Sequence, residues 1–245
     1  MPQLYPWSSC VSSSAESWAV SEGGRRLLAR EEEMIVPRVA GIFGYYAVQL
    51  GDPHRDLLAA SPISCRLRVG RSGNCQVRAL GTGLPFESAS VDLVIVSHLL
   101  EYVPYPQHVV REAHRILRPE GHLIVLVFSP TSIYGIRRMI DLSGGEYPWN
   151  GKFIAPGRLH DWFEVLGFGS AGGSYAGYAL PSWHQGLAGL LEKAGERWWA
   201  VFGSAVLLHA IKRQPAVRLI RPRWESRRSR RKQAVPAVER SIGGK

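Results

Sequence analysis

The segment VDLVIVSHLLEYV, residues 91–103, ends an apolar run with side chains that can do chemistry. Five of its first six residues are apolar, which is enough for a buried strand. The run stops at Ser97 and His98, and Glu101 follows one helical turn further on. Of these groups, His98 is the best candidate for removing a proton from a bound molecule. The alternative is that Ser97 and His98 cap the helix that follows.

The elements around this segment predict an α/β fold. Apolar runs predict strands at 45–50, 65–69, 75–80, 91–96, 122–128 and 200–212, and helical spacing predicts helices at 15–35, 106–118, 131–142 and 156–166. Nearly continuous apolar strands separated by helices indicate a mostly parallel sheet with helices on both faces. Ligands bind such sheets outside the carboxyl ends of the strands. Ser97 and His98 would therefore leave their strand at the ligand-binding edge.

The net charge of +10 is concentrated at the C-terminus. Residues 212–245 carry twelve Lys and Arg against two acids, whereas residues 1–211 carry 18 of each sign. We predict a disordered N-terminus at 1–14, one domain at 15–213 and a disordered basic tail at 214–245. The basic stretch 212–232 could contact nucleic acid or another anionic surface without sequence specificity, or could be only a solubilising extension.

Other features of the composition narrow the class of protein. The longest apolar runs are far shorter than the roughly 20 residues that span a bilayer, and the N-terminus lacks the pattern of a signal peptide. Three cysteines without CxxC spacing favour reduced thiols and a cytoplasmic location. The eight histidines are scattered, so no metal site is expected.

The block from Leu84 to Val127 resembles the central part of class I S-adenosylmethionine-dependent methyltransferases of the type 11 group. It has the Leu-Pro-Phe turn at 84–86, the strand at 91–94, the polar exit at 97–98, Glu-Ala-His-Arg-Ile-Leu at 112–117 and Pro-Glu-Gly at 119–121. The stretches FIAPGRLHDWFEVLGF and VFGSAVLLHAIKR resemble the family's sixth-helix segment and its final antiparallel strand. The resemblance covers roughly residues 40–213.

The resemblance implies a Rossmann-like, seven-stranded, mostly parallel sheet with one antiparallel strand near the C-terminus. It implies S-adenosylmethionine as the cofactor and methyl transfer to an unidentified, small-molecule acceptor. His98 would be catalytic, removing the proton of the acceptor. The residues implied in cofactor binding are Gly51, Asp52, Thr82, Leu84, Ser97 and His98.

Three departures from the family pattern concern the cofactor site. The glycine-rich loop after the first strand is degenerate, since only Gly51 remains and Pro53 and Arg55 occupy the places of the other glycines. No Asp or Glu occurs from Leu57 to Phe86, so the acids expected for the ribose and the adenine amino group are both missing.

Losing the carboxylate that accepts the ribose hydroxyls would weaken binding about tenfold or more. Thr82 for the adenine, Ser72 or Asn74 for the ribose, and Asp52 or Arg55 for the methionine end are conceivable substitutes. These departures leave a second hypothesis open. In it, the chain is a non-catalytic protein of the methyltransferase fold that binds a partner or another small ligand.

Two charged groups are expected to have structural roles. Asp92, near the start of its strand, could anchor the neighbouring loop. Glu112 and Arg115 lie three residues apart, so that they can meet on one helix face. A solvated ion pair of little energetic weight is the simplest interpretation of that pair.

Overall fold

A computed structural model describes residues 15, 17–52, 55–71, 74–132, 135, 150–177 and 203–214. The predicted N-terminal segment 1–14, most of the predicted helix 131–142 and the predicted basic tail from residue 215 onwards lie outside the described residues.

The part of the chain that the structure describes contains three long helices and a seven-stranded sheet. Helix α1 spans Glu22–Ala40, α2 spans Pro106–Ile116 and α3 spans Pro156–Val165. A helical stretch at residues 17–20 precedes α1. The strands are β1 Tyr46–Leu50, β2 Cys65–Gly70, β3 Val77–Arg78, β4 Val91–Ser97, β5 Leu117–Phe128, β6 Phe168–Ala176 and β7 Ala205–Lys212.

The sheet has the strand order β3-β2-β1-β4-β5-β7-β6. Strands β1 to β5 pair in parallel, and β7 runs antiparallel to both β5 and β6. The predicted fold, a mostly parallel sheet with one antiparallel strand near the C-terminus, is therefore confirmed. The strand order reverses between β1 and β4, and this reversal is the point where open α/β sheets bind ligands.

Several predicted boundaries were wrong for local physical reasons. Helix α1 continues to Ala40, because its buried stripe extends through Ile35 to Val39. Only Val77 and Arg78 of the predicted strand 75–80 pair with β2. Strand β5 begins at Leu117 rather than residue 122, since the predicted turn at 119–121 is an irregularity within the strand, with a shift in the register to β4. Strand β6 was not predicted, because its sequence FGSAGGSYA is rich in small residues and has no apolar run.

Each face of the sheet is covered by a different set of helices. On one face, α2 and α3 pack their apolar side chains against Val94 and Val96. On the other face, Ile35 and Val39 of α1 pack against Leu93 and Ile95. Side chains alternate between the faces along β4, so its buried run supplies both cores at once. Helix α1 is thereby fixed beside the carboxyl end of β4.

Asp92 anchors the start of β1, as its position predicted. Its Oδ2 accepts hydrogen bonds from the backbone N–H groups of Tyr45, at 2.7 Å, and Tyr46, at 3.0 Å. Its Oδ1 accepts from Arg118 Nη1 at 2.7 Å. The carboxylate therefore joins β1 to β4 at the edge of the sheet opposite the ligand-binding edge.

Replacing Asp92 with alanine should lower the free energy of unfolding by about 1–3 kcal/mol, because two backbone donors lose their charged acceptor. Denaturation by urea measures the change. Asp161→Ala, at an exposed position on α3, is the matched control and should change stability by no more than about 0.5 kcal/mol. Equal effects of the two substitutions would contradict the anchoring role.

Candidate active site

The carboxyl ends of β1 and β4 lie close together at Gly51. This residue has a φ of 79°, a conformation that side chains other than glycine rarely adopt. A Cβ atom built at Gly51 would lie 2.2 Å from the carbonyl oxygen of Ser97. The first glycine of the loop is therefore required by the packing of the two strand ends.

A cavity of about 180 Å³ opens beside Gly51, on the side of β2 and β3. Its wall is mostly apolar and comes from the ends of β1 and β2, the loop after β3 and the loop after β4. The lining residues are Leu50, Gly51, Val69, Gly70, Arg71, Ala79, Leu80, Gly81, Thr82, Leu99, Val103, Pro104, Tyr105 and His108. No carboxylate is among them, as the lack of acids from Leu57 to Phe86 predicted.

On the α1 side of Gly51 lies a set of charged side chains, which we call the His98 cluster: Glu31, Asp52, Arg55, His98 and Glu101. Glu31, His98 and Glu101 are buried, and Asp52 and Arg55 are partly exposed. His98 Nε2 lies 2.8 Å from Glu31 Oε1, and His98 Nδ1 lies 3.2 Å from Glu101 Oε1. Arg55 Nη2 donates to Glu31 Oε2 at 2.8 Å, and Arg55 Nε donates to Asp52. Three carboxylates and two cationic groups thus form one chain of contacts.

The rest of the protein holds this cluster firmly. Glu101 Oε1 also accepts from the backbone N–H of Phe128, at the end of β5, at 2.8 Å. The His98 ring stacks on the Phe128 ring, with 4.0 Å between centroids. Glu31 has no exposed surface, and His98 is only 4% exposed. The geometry of Glu31, His98 and Glu101 is therefore set by α1, β4 and β5 together.

The surroundings shift the pKa values of the central pair in opposite directions. Burial by itself would lower the pKa of His98, but the Glu31 carboxylate and the hydrogen bonds to Glu101 and Glu31 raise it to about 10. Burial would raise the pKa of Glu31, but His98 and Arg55 lower it to about 2. At neutral pH, His98 is therefore an imidazolium between two carboxylates.

The residues predicted for the site fall into three groups. Gly51 and Thr82 line the cavity. Ser97, His98 and Asp52 lie outside its lining, and His98 and Asp52 belong to the His98 cluster. Leu84 is a core residue, 5% exposed, and its N–H donates to Glu112 Oε2 at 3.1 Å. Ser97 is fully buried and, like Leu84, belongs neither to the cavity wall nor to the His98 cluster.

Glu112 and Arg115 were expected to form only a solvated ion pair, but they also bind the backbone of the turn at 84–86. While Glu112 accepts from the N–H of Leu84, Arg115 donates to the carbonyl oxygens of Leu84, at 3.0 Å, and Phe86, at 2.9 Å. Arg115 also donates two hydrogen bonds to Glu112. The pair therefore fixes the Leu-Pro-Phe turn, which follows the loop that forms one wall of the cavity.

The sequence interpretation missed Glu31 as a member of the site. It lies within the acidic run Glu31-Glu32-Glu33, which resembles an exposed helix face. A signal was nevertheless present, because Glu31 falls at four-residue spacing between Leu27 and Ile35 on the buried stripe of α1. A carboxylate on such a stripe needs a buried partner.

Comparisons with known proteins agree with this architecture. Residues 55–125 match the model of the methyltransferase domain family. The central segment is thus similar to methyltransferase domains, and the sheet has the fold of solved S-adenosylmethionine-dependent methyltransferases.

The individual relatives cover the chain to different extents. The uncharacterized protein YafS of Escherichia coli (strain K12) is 26% identical over 62% of this chain and 65% of its own length. The ubiquinone/menaquinone biosynthesis C-methyltransferase UbiE of Ruegeria sp. (strain TM1040) is 37% identical over 29% of each chain. The matched segments thus span less than two thirds of these relatives. A solved SAM-dependent methyltransferase of Thermotoga maritima superposes with a TM-score of 0.62 at 19% identity, covering 82% of this chain and 96% of that one.

Neither a membrane-spanning helix nor a metal site is present among the described residues. Among the described residues, no helix is long and apolar enough to cross a membrane. Within the same residues, no group of three or more His, Cys, Asp or Glu side chains is arranged to hold a metal ion. Cys65 and Cys75 are free thiols.

Proposed function

We propose that this chain is an S-adenosylmethionine-dependent methyltransferase acting on a small-molecule acceptor. The observation that carries the proposal is the cavity beside Gly51, at the carboxyl edge where the strand order reverses. Its apolar walls suit the faces of an adenine ring, and Thr82 offers a hydroxyl to the ring edge. The similarity of the central segment to methyltransferases supports the same proposal.

The residues present fit the adenine ring of the cofactor better than they fit its ribose. Leu80, Leu99 and Val103 supply apolar surface, and the tight turn at Gly51 brings the ends of β1 and β4 together. At the end of β2, however, Gly70 and Arg71 stand where the family has a carboxylate. When bound, the cofactor would supply an electrophilic methyl group on its sulfonium. The chain would orient the acceptor and exclude water.

The prediction that His98 removes a proton has no direct test, but the geometry favours a different role. Both ring nitrogens lie next to carboxylate oxygens. When both carboxylates are ionised, their oxygens only accept hydrogen bonds, so both nitrogens donate. An imidazolium of this kind has no lone pair left to take a proton. We therefore assign His98 a positioning role, in which it holds Glu31 and Glu101 in place.

The second candidate function is a non-catalytic protein of the same fold. The specific observation in its favour is that the described residues of the cavity wall include Arg71 but no carboxylate. A ligand with a negative charge near its ribose would suit this wall better than a neutral nucleoside.

Calorimetric titration with S-adenosylmethionine and S-adenosylhomocysteine separates these functions. We expect both to bind, and Gly70→Asp to tighten the binding about tenfold by supplying a charged acceptor for the ribose hydroxyls. Gly70→Asn, a neutral substitution of the same size, is the matched control and should give much less improvement. If the wild-type protein and Gly70→Asp both fail to bind either compound at millimolar concentration, the methyltransferase proposal is wrong and the non-catalytic function is favoured.

A further inference from the structure

The wall of the cavity beside Gly51 carries an accessible cation. Arg71 follows the last residue of β2, lines the cavity and is exposed to solvent. Within the part of the chain that the structure describes, its guanidinium forms no hydrogen bond or ion pair. The backbone beside it is fixed, because the carbonyl oxygen of Gly70 accepts from the N–H of Ala79 at 3.2 Å. Arg71 is thus held at one point of the wall by its backbone, while its charged group has no partner among the described residues.

The surroundings of Arg71 are biased toward positive charge. The segment from Leu57 to Phe86 has no Asp or Glu, and its charged residues are Arg66, Arg68, Arg71 and Arg78. The N-terminus of α2 lies at the same cavity, since Tyr105 and His108 both line it. A helix N-terminus carries a partial positive charge. A wall of this kind attracts an anionic group more strongly than a neutral one.

The place of Arg71 in the chain indicates which part of a nucleotide the anion belongs to. In nucleotide-binding α/β sheets, an acid about 20 residues after the glycine loop binds the ribose hydroxyls, whereas an arginine there accommodates a phosphate on the ribose. Arg71 lies 20 residues after Gly51. A phosphate at the 5′ position would instead point to the loop after β1, where Arg55 is already paired with Asp52 and Glu31. The unpaired cation is therefore at the ribose end.

We propose that the cavity binds an adenosine that carries a phosphate on the 2′ or the 3′ hydroxyl of its ribose, with Arg71 as the contact of the phosphate. A guanidinium presents only donors, and these match phosphate oxygens in a charge-assisted contact. Tyr105, which is 57% exposed at the cavity wall, offers an aromatic face to the base. The inference rests on the proposed function for the adenine on the apolar wall, and it adds a class of ligand that competes with S-adenosylmethionine.

The test compares four adenosine compounds on the full-length wild-type protein by calorimetric titration. Adenosine 2′-monophosphate and adenosine 3′-monophosphate carry the phosphate at the two proposed places. Adenosine 5′-monophosphate carries the same group elsewhere, and adenosine carries none. We expect the 2′ or the 3′ compound to bind about tenfold or more tightly than the other two classes, and the tighter of them identifies the hydroxyl. Equal binding of all three phosphates, or no binding of either ribose phosphate at millimolar concentration, overturns the proposal.

Two arginine variants test whether Arg71 makes the contact. Arg71→Gln should abolish the preference for a ribose phosphate, and an unchanged midpoint of thermal unfolding checks that the variant folds. Arg25→Gln removes the same charge at another exposed position, on α1 and outside the cavity lining. It should leave the preference unchanged. A preference that survives in Arg71→Gln, or that is lost equally in both variants, overturns the proposal.

A substitution next to Arg71 separates this inference from the proposed function. Gly70→Asp should weaken the binding of the ribose phosphate about tenfold or more, because its carboxylate repels the phosphate, while it tightens the binding of S-adenosylhomocysteine. Gly70→Asn should do neither to the same extent. If a ribose phosphate binds through Arg71 but S-adenosylhomocysteine neither binds nor displaces it, the proposed function is contradicted and the inference stands. If S-adenosylhomocysteine binds while the ribose phosphates bind no better than adenosine, the inference is overturned and the proposed function stands.

Discussion

Replacing Glu31 with glutamine should lower the free energy of unfolding by about 3–5 kcal/mol, the cost of removing one member of a buried ion pair. Glu31 accepts from His98 with one oxygen and from Arg55 with the other, each at 2.8 Å. A glutamine has the same shape, but its amide nitrogen would face one of these two donors in either orientation. One buried cation would therefore lose its acceptor and face another donor.

The matched control lies two residues away on the same helix. Glu33 pairs with Arg30 at 2.6 Å, but its side chain is 63% exposed. Because water screens such a pair, Glu33→Gln should change stability by about 0.5 kcal/mol or less. Urea denaturation of the two variants at the same pH gives the comparison directly. A cost below about 1 kcal/mol for Glu31→Gln would show that the buried pair contributes little.

The double variant Glu31→Gln/His98→Gln tests whether the two residues act through each other. Removing both charges at once avoids leaving an unpaired imidazolium, so the double variant should be more stable than the sum of the single effects predicts. We expect a coupling energy of about 1–3 kcal/mol. Strictly additive effects would mean that the contact between the two residues has no energetic role.

Local sequence patterns were sufficient to predict most strands of the sheet, but not the residues at which the strands and helices begin and end. Strand β4 was recognisable because nearly every residue is apolar, and α2 because its apolar residues recur at helical spacing. Strand β3 was overestimated, because pairing with β2 extends over only two residues. Whether an apolar residue pairs in a ladder depends on a neighbouring strand that local pattern does not reveal.

The site was less predictable, since its interactions join residues far apart in the chain. Gly51 and Thr82, which line the cavity, could be selected from the sequence because each follows a strand of the sheet. The contact between His98 and Glu31 spans 67 residues, and only the packing of α1 against the sheet brings the two side chains together. The role of His98 was predicted from the usual chemistry of histidine, whereas two buried carboxylates determine its charge here.

The charge of His98 should give the protein a measurable loss of stability at alkaline pH. The pKa of His98 is raised from about 6.5 to about 10 by the carboxylates. Because the pKa of His98 is higher in the folded state than in the unfolded state, protonated His98 contributes its full stabilisation below pH 6.5. This contribution to the free energy of unfolding is lost as the pH rises toward 10. Between pH 6.5 and pH 9, the loss is on the order of 3 kcal/mol. Glu31, with its pKa lowered to about 2, loses its contribution only as the pH falls below about 4.5.

Three other histidines change the free energy of unfolding with pH in the opposite direction. Their contribution must be separated from that of His98. Burial lowers the pKa values of His114, His122 and His209, so these residues reduce stability as the pH falls below about 6.5. They are present both in the wild-type protein and in His98→Gln, which is neutral at every pH. The difference in unfolding free energy between these two proteins therefore isolates His98.

We expect the stability advantage of the wild-type protein over His98→Gln to be constant below pH 6.5 and to shrink by about 1.4 kcal/mol per pH unit above it. Urea denaturation at pH 6, 7.5 and 9 measures this advantage. ¹⁵N NMR at pH 7.5 gives an independent check, because both ring nitrogens of His98 should carry a proton. The groups that face the ring are Glu31 from α1, Glu101 from the loop after β4, and Phe128 from β5. A difference that does not change with pH, or one ring nitrogen without a proton at pH 7.5, would mean that His98 is neutral and that one of its carboxylate neighbours holds the proton instead.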